Sequence, residues 1–237
     1  MNQMEDSTFT LVTGASEGIG KAIALKLLKQ GYRVGMVSRS QAKLDAALAG
    51  VGDLKQSAWT YPADLTDPNQ VDELIQAAWQ HAEHIDVLVN NVGRGIRHEL
   101  VDTSDEEWDY LVSTNLSTAF YVCRSVIPHM RQQRSGNIIN IASRAGRRGE
   151  GGLAAYCAVK HGLVGLTRAL ADSEKEFNIR TNAICPGLVA TERLMSESPH
   201  LDYSKAYSPE DIAEAVSFLL SPAARYMNGQ TIDMFSA

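Results

Sequence analysis

Cysteine, long uncharged apolar runs and excess positive charge are all scarce in this sequence. The three cysteines, Cys123, Cys157 and Cys185, are scattered without a CxxC pair, whereas disulfide frameworks and zinc sites depend on closely spaced cysteines. No apolar run approaches the ~18 residues of a membrane span. The opening segment MNQMEDST is too polar and acidic for a secretory signal. We therefore expect a cytoplasmic protein with reduced thiols, no metal and no membrane contact.

The charge balance bears on the class of partner. The net charge is −6 over 237 residues, and nucleic-acid binding needs a basic surface that neutralises phosphates. Nucleic acid is therefore not expected as a partner. The composition, 44% hydrophobic and 21% charged, is ordinary for a globular protein, and no linker-like segment or repeat interrupts it. We predict a single domain over residues 1–237.

Short apolar runs alternate with amphipathic helical patterns along the whole chain. Strand-like runs occupy residues 9–13, 32–37, 58–61, 86–90, 137–142, 180–185 and 230–234, and helical patterns occupy 21–30, 41–49, 67–82, 104–133, 153–176 and 208–220. Continuously apolar strands are typical of a parallel sheet that is covered on both faces. Repeated strand–helix–strand units form a doubly wound fold. We predict a Rossmann-type α/β fold whose parallel sheet has seven strands, with helices on both faces.

A glycine-rich turn follows the first predicted strand and opens the first helix. Gly14, Gly18 and Gly20 are spaced as G-x-x-x-G-x-G. Glycines let a backbone approach a pyrophosphate, and a helix N-terminus offers free N–H groups and a positive dipole end. This spacing differs from the G-x-G-x-x-G fingerprint, so the motif alone also fits a plain turn. The candidate loop is completed by Ser16, Glu17 and Ile19.

The ends of the next two predicted strands indicate which dinucleotide is bound. Ser38 and Arg39 stand where NAD-selective folds place an acid on the ribose 2′-hydroxyl, and an arginine fork binds phosphate oxygens in pairs. Asp64 and Leu65 follow the third strand, in reach of an adenine edge. Glu17 is a complication, because an acid that pointed inward would repel a 2′-phosphate. We predict NADP(H), with NAD(H) as the alternative.

Tyr156 and Lys160 lie one turn apart on the same face of a predicted helix. A free tyrosine has a pKa of ~10, and an ammonium ~4 Å away stabilises the phenolate by roughly 4 kcal/mol at an effective dielectric near 20. Before the cost of desolvation, the pair is expected to lower the pKa of Tyr156 and aid proton exchange with a substrate oxygen. Ser143, at the end of the fifth strand, would hold the same oxygen. Asn115, a poor helix former within a helix, would fix a water beside Lys160. Each residue alone also fits a purely structural role.

These motifs occur together in an order that resembles a known family. TGASEGIG at 13–20, NNVG at 90–93, Asn115, Ser143, the Tyr156/Lys160 pair and Pro186-Gly187 resemble the single-domain short-chain dehydrogenase/reductase superfamily over nearly the whole chain. The resemblance implies a catalytic tetrad of Asn115, Ser143, Tyr156 and Lys160. It further implies cofactor contacts at Asn90, Gly93, Tyr156, Lys160, Pro186, Gly187, Val189 and Thr191.

The resemblance also bears on the substrate. Segments 104–130 and 136–143 look like those of β-ketoacyl-(acyl carrier protein) reductases. Acidic carrier proteins dock on basic patches, and candidate arginines are Arg131, Arg134, Arg144, Arg147 and Arg148. The same arginines also fit a small anionic substrate or a solvated surface. A carbonyl reductase of small metabolites and a polyol or sugar dehydrogenase therefore remain open, as does an NADP(H)-binding sensor or scaffold without turnover.

Further expectations concern assembly and departures from the family. The family implies homodimers or homotetramers built on the helices that carry Asn115 and Tyr156. Val92 replaces the alanine of the usual NNAG segment and adds two methyl groups near the cofactor ribose. The stretch from Thr191 to Ser208 is short, which predicts a short substrate lid over about 191–208. The tail at 233–237 is predicted to lie in an interface if a tetramer forms.

Overall fold

The computed structural model describes residues 8–235, and seven of their segments pair as strands of one sheet. They are β1 (Phe9–Thr13), β2 (Arg33–Ser38), β3 (Ala58–Pro62), β4 (Val87–Asn90), β5 (Gly136–Ile141), β6 (Ile179–Pro186) and β7 (Thr231–Met234). Every pairing is parallel, and the order is β3-β2-β1-β4-β5-β6-β7. The chain changes direction across the sheet between β1 and β4, where doubly wound folds open a ligand crevice. The predicted fold class is confirmed.

Eight α-helices connect these strands within the described residues. They are α1 (Gly18–Lys29), α2 (Gln41–Ala47), α3 (Pro68–Ala82), α4 (Asp105–Val112), α5 (Thr118–Gln133), α6 (Ala154–Ser173), α7 (Glu192–Glu197) and α8 (Pro209–Leu220). The N-terminal caps follow the sequence signals. Asp67 accepts the Asn69 N–H ahead of Pro68, and capping boxes begin α4 at Ser104 and α8 at Ser208.

Helices cover both faces of the sheet, as the apolar strands require. One apolar cluster joins α1, α2 and α8 to the sheet through buried residues such as Leu27, Leu44 and Val216. The cluster on the opposite face joins α3 and α5 through Leu74 and Val126. Strands β1, β4 and β5 are buried along their whole length. Burial on both faces explains their unbroken apolar sequence.

The predicted helix over 104–133 is wrong in one respect, because it is not a continuous α-helix. A π-helical segment, Ser113–Ser117, separates α4 from α5. Within it, Asn115 Nδ2 donates to the carbonyl of Leu111, one turn earlier, at 3.0 Å. A side chain that takes a backbone acceptor of this kind favours a local widening of the helix, and such π segments occur often at functional sites.

Several expectations fall at the limits of what the structure describes. Residues 1–7, and Ser236 and Ala237 of the predicted interface tail, lie outside the described residues. No helix between residues 8 and 235 is both long enough and apolar enough to cross a bilayer. Over the same range, no three histidine, cysteine or acidic side chains gather where a metal ion could be held.

Candidate active site

The glycine-rich loop brings backbone segments of β1 and α1 very close together. Gly14 and Gly18 have φ angles of +64° and +55°, in the left-handed region that favours glycine. A Cβ built on Gly20 would lie 2.2 Å from the Gly14 carbonyl oxygen, so a side chain there would push α1 off the loop. The first turn of α1 has no side-chain cap and no acidic residue. Its backbone N–H groups are therefore left to bind an anion.

Asn91 fastens this loop to the end of β4, a role that the sequence analysis missed. Its Nδ2 donates to the carbonyls of Thr13 and Gly14 at 3.0 and 3.2 Å, and its own N–H donates to Thr13 Oγ1 at 2.9 Å. These bonds hold the loop against the sheet edge. The second asparagine of the NNVG segment was the available signal.

The loop borders a cleft of about 530 Å³ at the carboxyl edge of the sheet, as expected for a doubly wound fold. Most predicted cofactor contacts line it: Gly14, Ser16, Glu17, Gly18, Ile19, Ser38, Arg39, Asp64, Leu65, Gly93 and Thr191. Other wall residues, among them Ser40, Lys43, Thr66, Arg94, Thr114 and Arg193, were not predicted. Val92 also lines the cleft, where its methyl groups narrow the space beside Gly14.

Charged side chains converge at one end of this cleft. The Glu17 carboxylate lies 3.1 Å from Lys43 Nζ and 3.7 Å from an Arg193 guanidinium nitrogen. The acid in the phosphate loop is therefore paired with two cations. Arg39 is exposed on the cleft wall. Its side chain forms no ion pair and no hydrogen bond with any residue between 8 and 235.

The predicted catalytic side chains lie together behind the cleft. Ser143 follows β5, and its side chain lies near enough to the phenol of Tyr156, in the first turn of α6, to lower the pKa of that phenol. Lys160 Nζ lies 5.7 Å from the centre of the Tyr156 ring. Gly93 joins this group to the cleft, because a Cβ built on it would lie 2.7 Å from Asn115 Oδ1 and 3.0 Å from Lys160 Nζ.

The lower pKa that the Tyr156/Lys160 pair predicted for Tyr156, before the cost of desolvation, is reversed in the packed structure. Burial raises the pKa of Tyr156 to about 12, and the Ser143 side chain and the Arg193 guanidinium only partly oppose it. Desolvation penalises the charged phenolate. Lys160 Nζ lies over the Tyr156 ring, 5.7 Å from its centre, and also donates to the Ile141 carbonyl at 3.2 Å. At neutral pH Tyr156 is therefore a protonated phenol.

Lys160 is itself a buried cation, with 2% of its surface exposed. Burial lowers its pKa from 10.5 to about 8, since desolvation disfavours the ammonium. The ammonium thus remains the main form at pH 7 but begins to lose its proton just above that pH. Strongly shifted pKa values of this kind cluster at functional sites.

Asn115 is fully buried, and its amide is used by the backbone. Its Oδ1 accepts the Arg94 N–H at 3.0 Å, while Nδ2 donates to the carbonyls of Arg94 and Leu111. This contact holds the loop after β4 on the π-helical segment. The predicted water beside Lys160 would have to bind at the second lone pair of Oδ1, because both amide protons are taken.

Asn90 and the 186–191 segment differ in how they meet the cleft. The Asn90 amide turns into the sheet and donates to Asn140 Oδ1 at 2.9 Å, away from the cleft wall. Pro186 ends β6, and the Gly187 N–H donates to the Met234 carbonyl. Of this group Thr191 alone borders the described cleft, where its methyl group packs over Gly18. Val189 is buried and pairs with Tyr207.

Comparison with known proteins decides the family. A sequence profile described as short chain dehydrogenase matches residues 8–202. The chain belongs to the short-chain dehydrogenase family. It is 34% identical to the 3-oxoacyl-[acyl-carrier-protein] reductase FabG of Thermotoga maritima, over 94% of each chain. It is 36% identical to the FabG of Staphylococcus epidermidis, over 94% of this chain and 95% of the relative.

Solved structures agree with this assignment. A variant of actinorhodin polyketide ketoreductase with NADPH superposes with a TM-score of 0.90 at 33% identity, covering 97% of this chain and 96% of the other. ElxO with NADP bound gives 0.91 at 28% identity, covering 96% and 97%. As a short-chain dehydrogenase, the protein is an oxidoreductase that acts between a carbonyl and an alcohol.

In this short-chain dehydrogenase, the segment from 191 to 208 contains a helix that the sequence analysis did not predict. Thr191 Oγ1 caps α7 by accepting the Leu194 N–H at 3.3 Å, a signal visible in the sequence. Two ion pairs tie α7 across the cleft. Arg193 meets Glu17 at 3.7 Å, and Glu197 meets Arg94 at 2.9 Å.

The arginines predicted as a basic patch are largely neutralised within the short-chain dehydrogenase. Arg131 makes two bonds of 2.7 Å to Glu174. The other contacts are Arg144 with Glu150 at 2.6 Å, Arg147 with Asp233 at 2.9 Å, Arg134 over Phe177 and Arg148 over Phe235. They do not form a cluster of unpaired positive charge.

Proposed function

We propose that this short-chain dehydrogenase uses NADP(H) to interconvert a ketone and a secondary alcohol, with a thioester-bound 3-oxoacyl group as the preferred substrate. The observation that carries the proposal is the grouping of three side chains: the Tyr156 phenol, Ser143 beside it, and the buried Lys160 ammonium, which lies 5.7 Å from the centre of the Tyr156 ring. The 3-oxoacyl class follows from the similarity to the FabG reductases.

The residues of the cleft fit NADP(H). The backbones of Gly14 and Gly20 lie so close together that no side chain fits between them. The uncapped N-terminus of α1 suits a pyrophosphate. Arg39, exposed and unpaired among the described side chains, suits a 2′-phosphate. Ser16, Ile19, Ser38, Asp64, Leu65 and Thr191 line the remaining length and complete the proposed contacts. The NADPH and NADP of two structural neighbours support the same choice over NAD(H).

The proposed chemistry assigns one task to each residue of the tetrad. Bound NADPH would supply the hydride that the carbonyl carbon takes up. Tyr156 donates its phenolic proton to the carbonyl oxygen, which Ser143 also holds by a hydrogen bond, and solvent returns a proton to Tyr156. The product alcohol thereby gains one hydride and one proton.

Lys160 and Asn115 act around this step in our proposal. The Lys160 ammonium stabilises the transient phenolate electrostatically and binds the nicotinamide ribose. Asn115 positions the 93–94 backbone that separates the cleft from Lys160. Asn90, Pro186, Gly187 and Val189 are proposed to support the nicotinamide end indirectly, and α7 with the rest of 191–208 to cover it as a short lid.

The first test is the oxidation of NADPH and NADH by the purified protein with acetoacetyl thioesters, diketones, quinones and keto-sugars. Turnover of the acetoacetyl thioester with NADPH supports the proposal as a whole. Turnover of small ketones alone would transfer the function to a carbonyl reductase of small metabolites. Tight NADPH binding with no turnover on any carbonyl would contradict the enzyme assignment and leave a sensor or scaffold.

A carbonyl reductase of small molecules is the second candidate, and one observation favours it. Arg131, Arg144 and Arg147 are held by carboxylates of the same chain, which leaves little free positive charge for an acidic carrier protein. Acyl carrier protein and a thioester of a small thiol are therefore to be compared directly as carriers of one acyl group. A lower KM on the carrier protein favours the first candidate.

We further propose that the protein is a homodimer or homotetramer. Leu100 and Val101 are 67% and 91% exposed, and the half-exposed Trp108 lies with them. Leu100 and Trp108 line a groove with Ala154 and Ala158 at the start of α6, and Thr103, Ser104 and Asp105 also line it. Exposed apolar side chains that lie near one another often mark an interface, and the groove reaches the first turns of the helix that carries Tyr156. The cytoplasmic location expected from the sequence stays a prediction.

A further inference from the structure

Glu17 and Lys43 form an ion pair on the wall of the cofactor cleft. Lys43 Nζ lies 3.1 Å from Glu17 Oε2, and both residues line the cleft together with Arg39. The two side chains come from different elements, the phosphate loop and α2. About half of the surface of each side chain, 47% for Glu17 and 63% for Lys43, is exposed. An exposed pair of this kind is weakly held and exchanges partners readily.

Lys43 lies close to the end of β2, where the 2′-substituent of the adenosine ribose is recognised in dinucleotide folds. Ser40 Oγ accepts the Lys43 N–H at 3.3 Å, and Ser38 Oγ donates to the Ser40 carbonyl at 3.2 Å. These bonds fold the 38–43 segment into a compact turn. Arg39 and Lys43 are thereby presented on the same stretch of the wall.

The charges on this stretch match a phosphate monoester only if Lys43 takes part. A phosphate monoester carries about −1.5 to −2 charges at pH 7, whereas Arg39 supplies one positive charge. A ribose 2′-hydroxyl, as in NADH, carries no charge and offers no reason for Lys43 to leave Glu17. Lys43 can therefore distinguish the two cofactors, because it pairs with the 2′-phosphate of NADP(H) but stays with Glu17 when NAD(H) binds.

We propose that Lys43 is a second residue that selects the 2′-phosphate, and that it exchanges Glu17 for this phosphate when NADP(H) binds. The inference rests on the proposed use of NADP(H). Glu17 does not become isolated by the exchange, because Arg193 already lies 3.7 Å from its other oxygen. The phosphate-loop acid thus works as an internal competitor of the 2′-phosphate, and its charge lowers the selectivity that Arg39 and Lys43 provide.

The test is a double-mutant cycle read by cofactor binding rather than by activity. Isothermal titration calorimetry measures the Kd of NADPH, NADH and 2′,5′-ADP for the wild type, Lys43→Met, Glu17→Gln and the double variant. The measured quantity is the Kd for NADH divided by that for NADPH. Lys29→Met, an exposed lysine of α1 away from the cleft, is the control for the loss of one positive charge.

We expect Lys43→Met to weaken NADPH and 2′,5′-ADP roughly tenfold, the effect of one charge-assisted contact, with NADH nearly unchanged. Glu17→Gln should raise the NADH-to-NADPH ratio roughly threefold, and this gain should vanish when Lys43 is also replaced. Lys29→Met should leave the ratio at the wild-type value.

Three results would overturn the inference while leaving the function intact. The first is an unchanged Kd of NADPH in Lys43→Met. The second is an equal weakening of NADPH and NADH in that variant, which would assign Lys43 to the shared pyrophosphate. The third is a gain in the NADH-to-NADPH ratio of Glu17→Gln that persists without Lys43. Failure of the proposed function looks different, because then the wild type itself binds neither NADPH nor 2′,5′-ADP. Since both side chains lie at the surface, matching thermal unfolding curves establish that the variants fold.

Discussion

At the scale of single residues, the reactive centre pairs a phenol that stays protonated with a cation that titrates near neutrality. Burial produces both effects, raising the pKa of Tyr156 to about 12 and lowering that of Lys160 to about 8. A protonated phenol is the form that a carbonyl reduction needs, because it is the proton donor.

Replacing Tyr156 by phenylalanine tests the proton-donor role. Removing the hydroxyl leaves the ring packing in place, so we expect turnover to fall at least ~100-fold, the usual contribution of a general acid. The Kd of NADPH should change little. Steady-state kinetics and calorimetry measure the two quantities, and Tyr226→Phe, at a side chain that is 86% exposed, is the control. Full activity in Tyr156→Phe would disprove the assignment.

The rate of carbonyl reduction should fall as the pH rises through about 8. Above that pH Lys160 loses its proton, because its pKa is lowered to about 8, whereas Tyr156 keeps its proton up to about 12. The loss thus reflects the ammonium and not the phenol. Initial rates of kcat/KM between pH 6 and 10 measure it. A flat profile up to pH 10 would mean that the Lys160 charge is not required.

Lys160 is also expected to destabilise the fold at pH 7. Its pKa is lower in the folded protein than the ordinary 10.5, so the unfolded state binds more protons between about pH 8 and 10.5, and wild-type stability rises over that window. Lys160→Met should therefore unfold at a higher Tm at pH 7, by about 2–4 °C for each kcal/mol gained. The difference should shrink at pH 10. An unchanged or lower Tm at pH 7 would contradict this prediction.

At the scale of elements, the π-helical segment between α4 and α5 links the helix layer to the loop after β4. Asn115 makes three bonds from this segment, two of them to the Arg94 backbone. Gly93 is thereby held between the cleft and Lys160. The π-helical turn therefore places the buried amide of Asn115 where it supports the loop after β4.

Asn115→Ala should loosen this loop without unfolding the protein. The change leaves the Arg94 N–H and two carbonyls without their side-chain partner, at a cost of about 1–3 kcal/mol for each buried group that water does not reach. We expect a lower Tm and faster amide hydrogen exchange at residues 93–97. Asn69→Ala, at an exposed position in α3, is the control. Unchanged amide hydrogen exchange at residues 93–97 would show that Asn115 does not hold this loop in place.

At the scale of the whole molecule, apolar surface remains uncovered on the side that carries α4 and α6. Leu100 and Trp108 are exposed there beside the small residues Ala154 and Ala158, and the exposed Val101 follows Leu100 in the chain. The oligomer proposal locates the second copy on this surface, which also contains the helix of Tyr156. Contacts between copies would then stabilise the active-site helix from outside.

Val101→Glu tests this location. A charge introduced at a side chain that is 91% exposed costs little in the monomer but a great deal in a closed apolar interface. We expect the variant to elute as a smaller species whose mass, measured by light scattering, is that of a monomer. Tyr226→Glu, at another exposed aromatic, is the control. An unchanged mass for Val101→Glu would exclude this surface as the interface.

The sequence by itself determined the doubly wound fold and the family. Both depend on local patterns, such as apolar runs, helix caps and the spacing of Gly14, Gly18 and Gly20, which act within a few residues. It also identified Tyr156, Lys160 and Ser143 as one group, because helix periodicity and strand ends bring them to the same edge of the sheet.

Only the tertiary structure decided the properties that arise from distant contacts. The direction of the Tyr156 pKa shift depends on burial, which prevails over the opposing effects of Ser143 and Arg193. The pairing of Glu17 with Lys43 and Arg193 joins three elements that are far apart in the chain. The π-helical turn at Asn115 requires a backbone partner in another loop. Desolvation and ion pairing are set by the whole packed molecule, so no local pattern of residues predicts them.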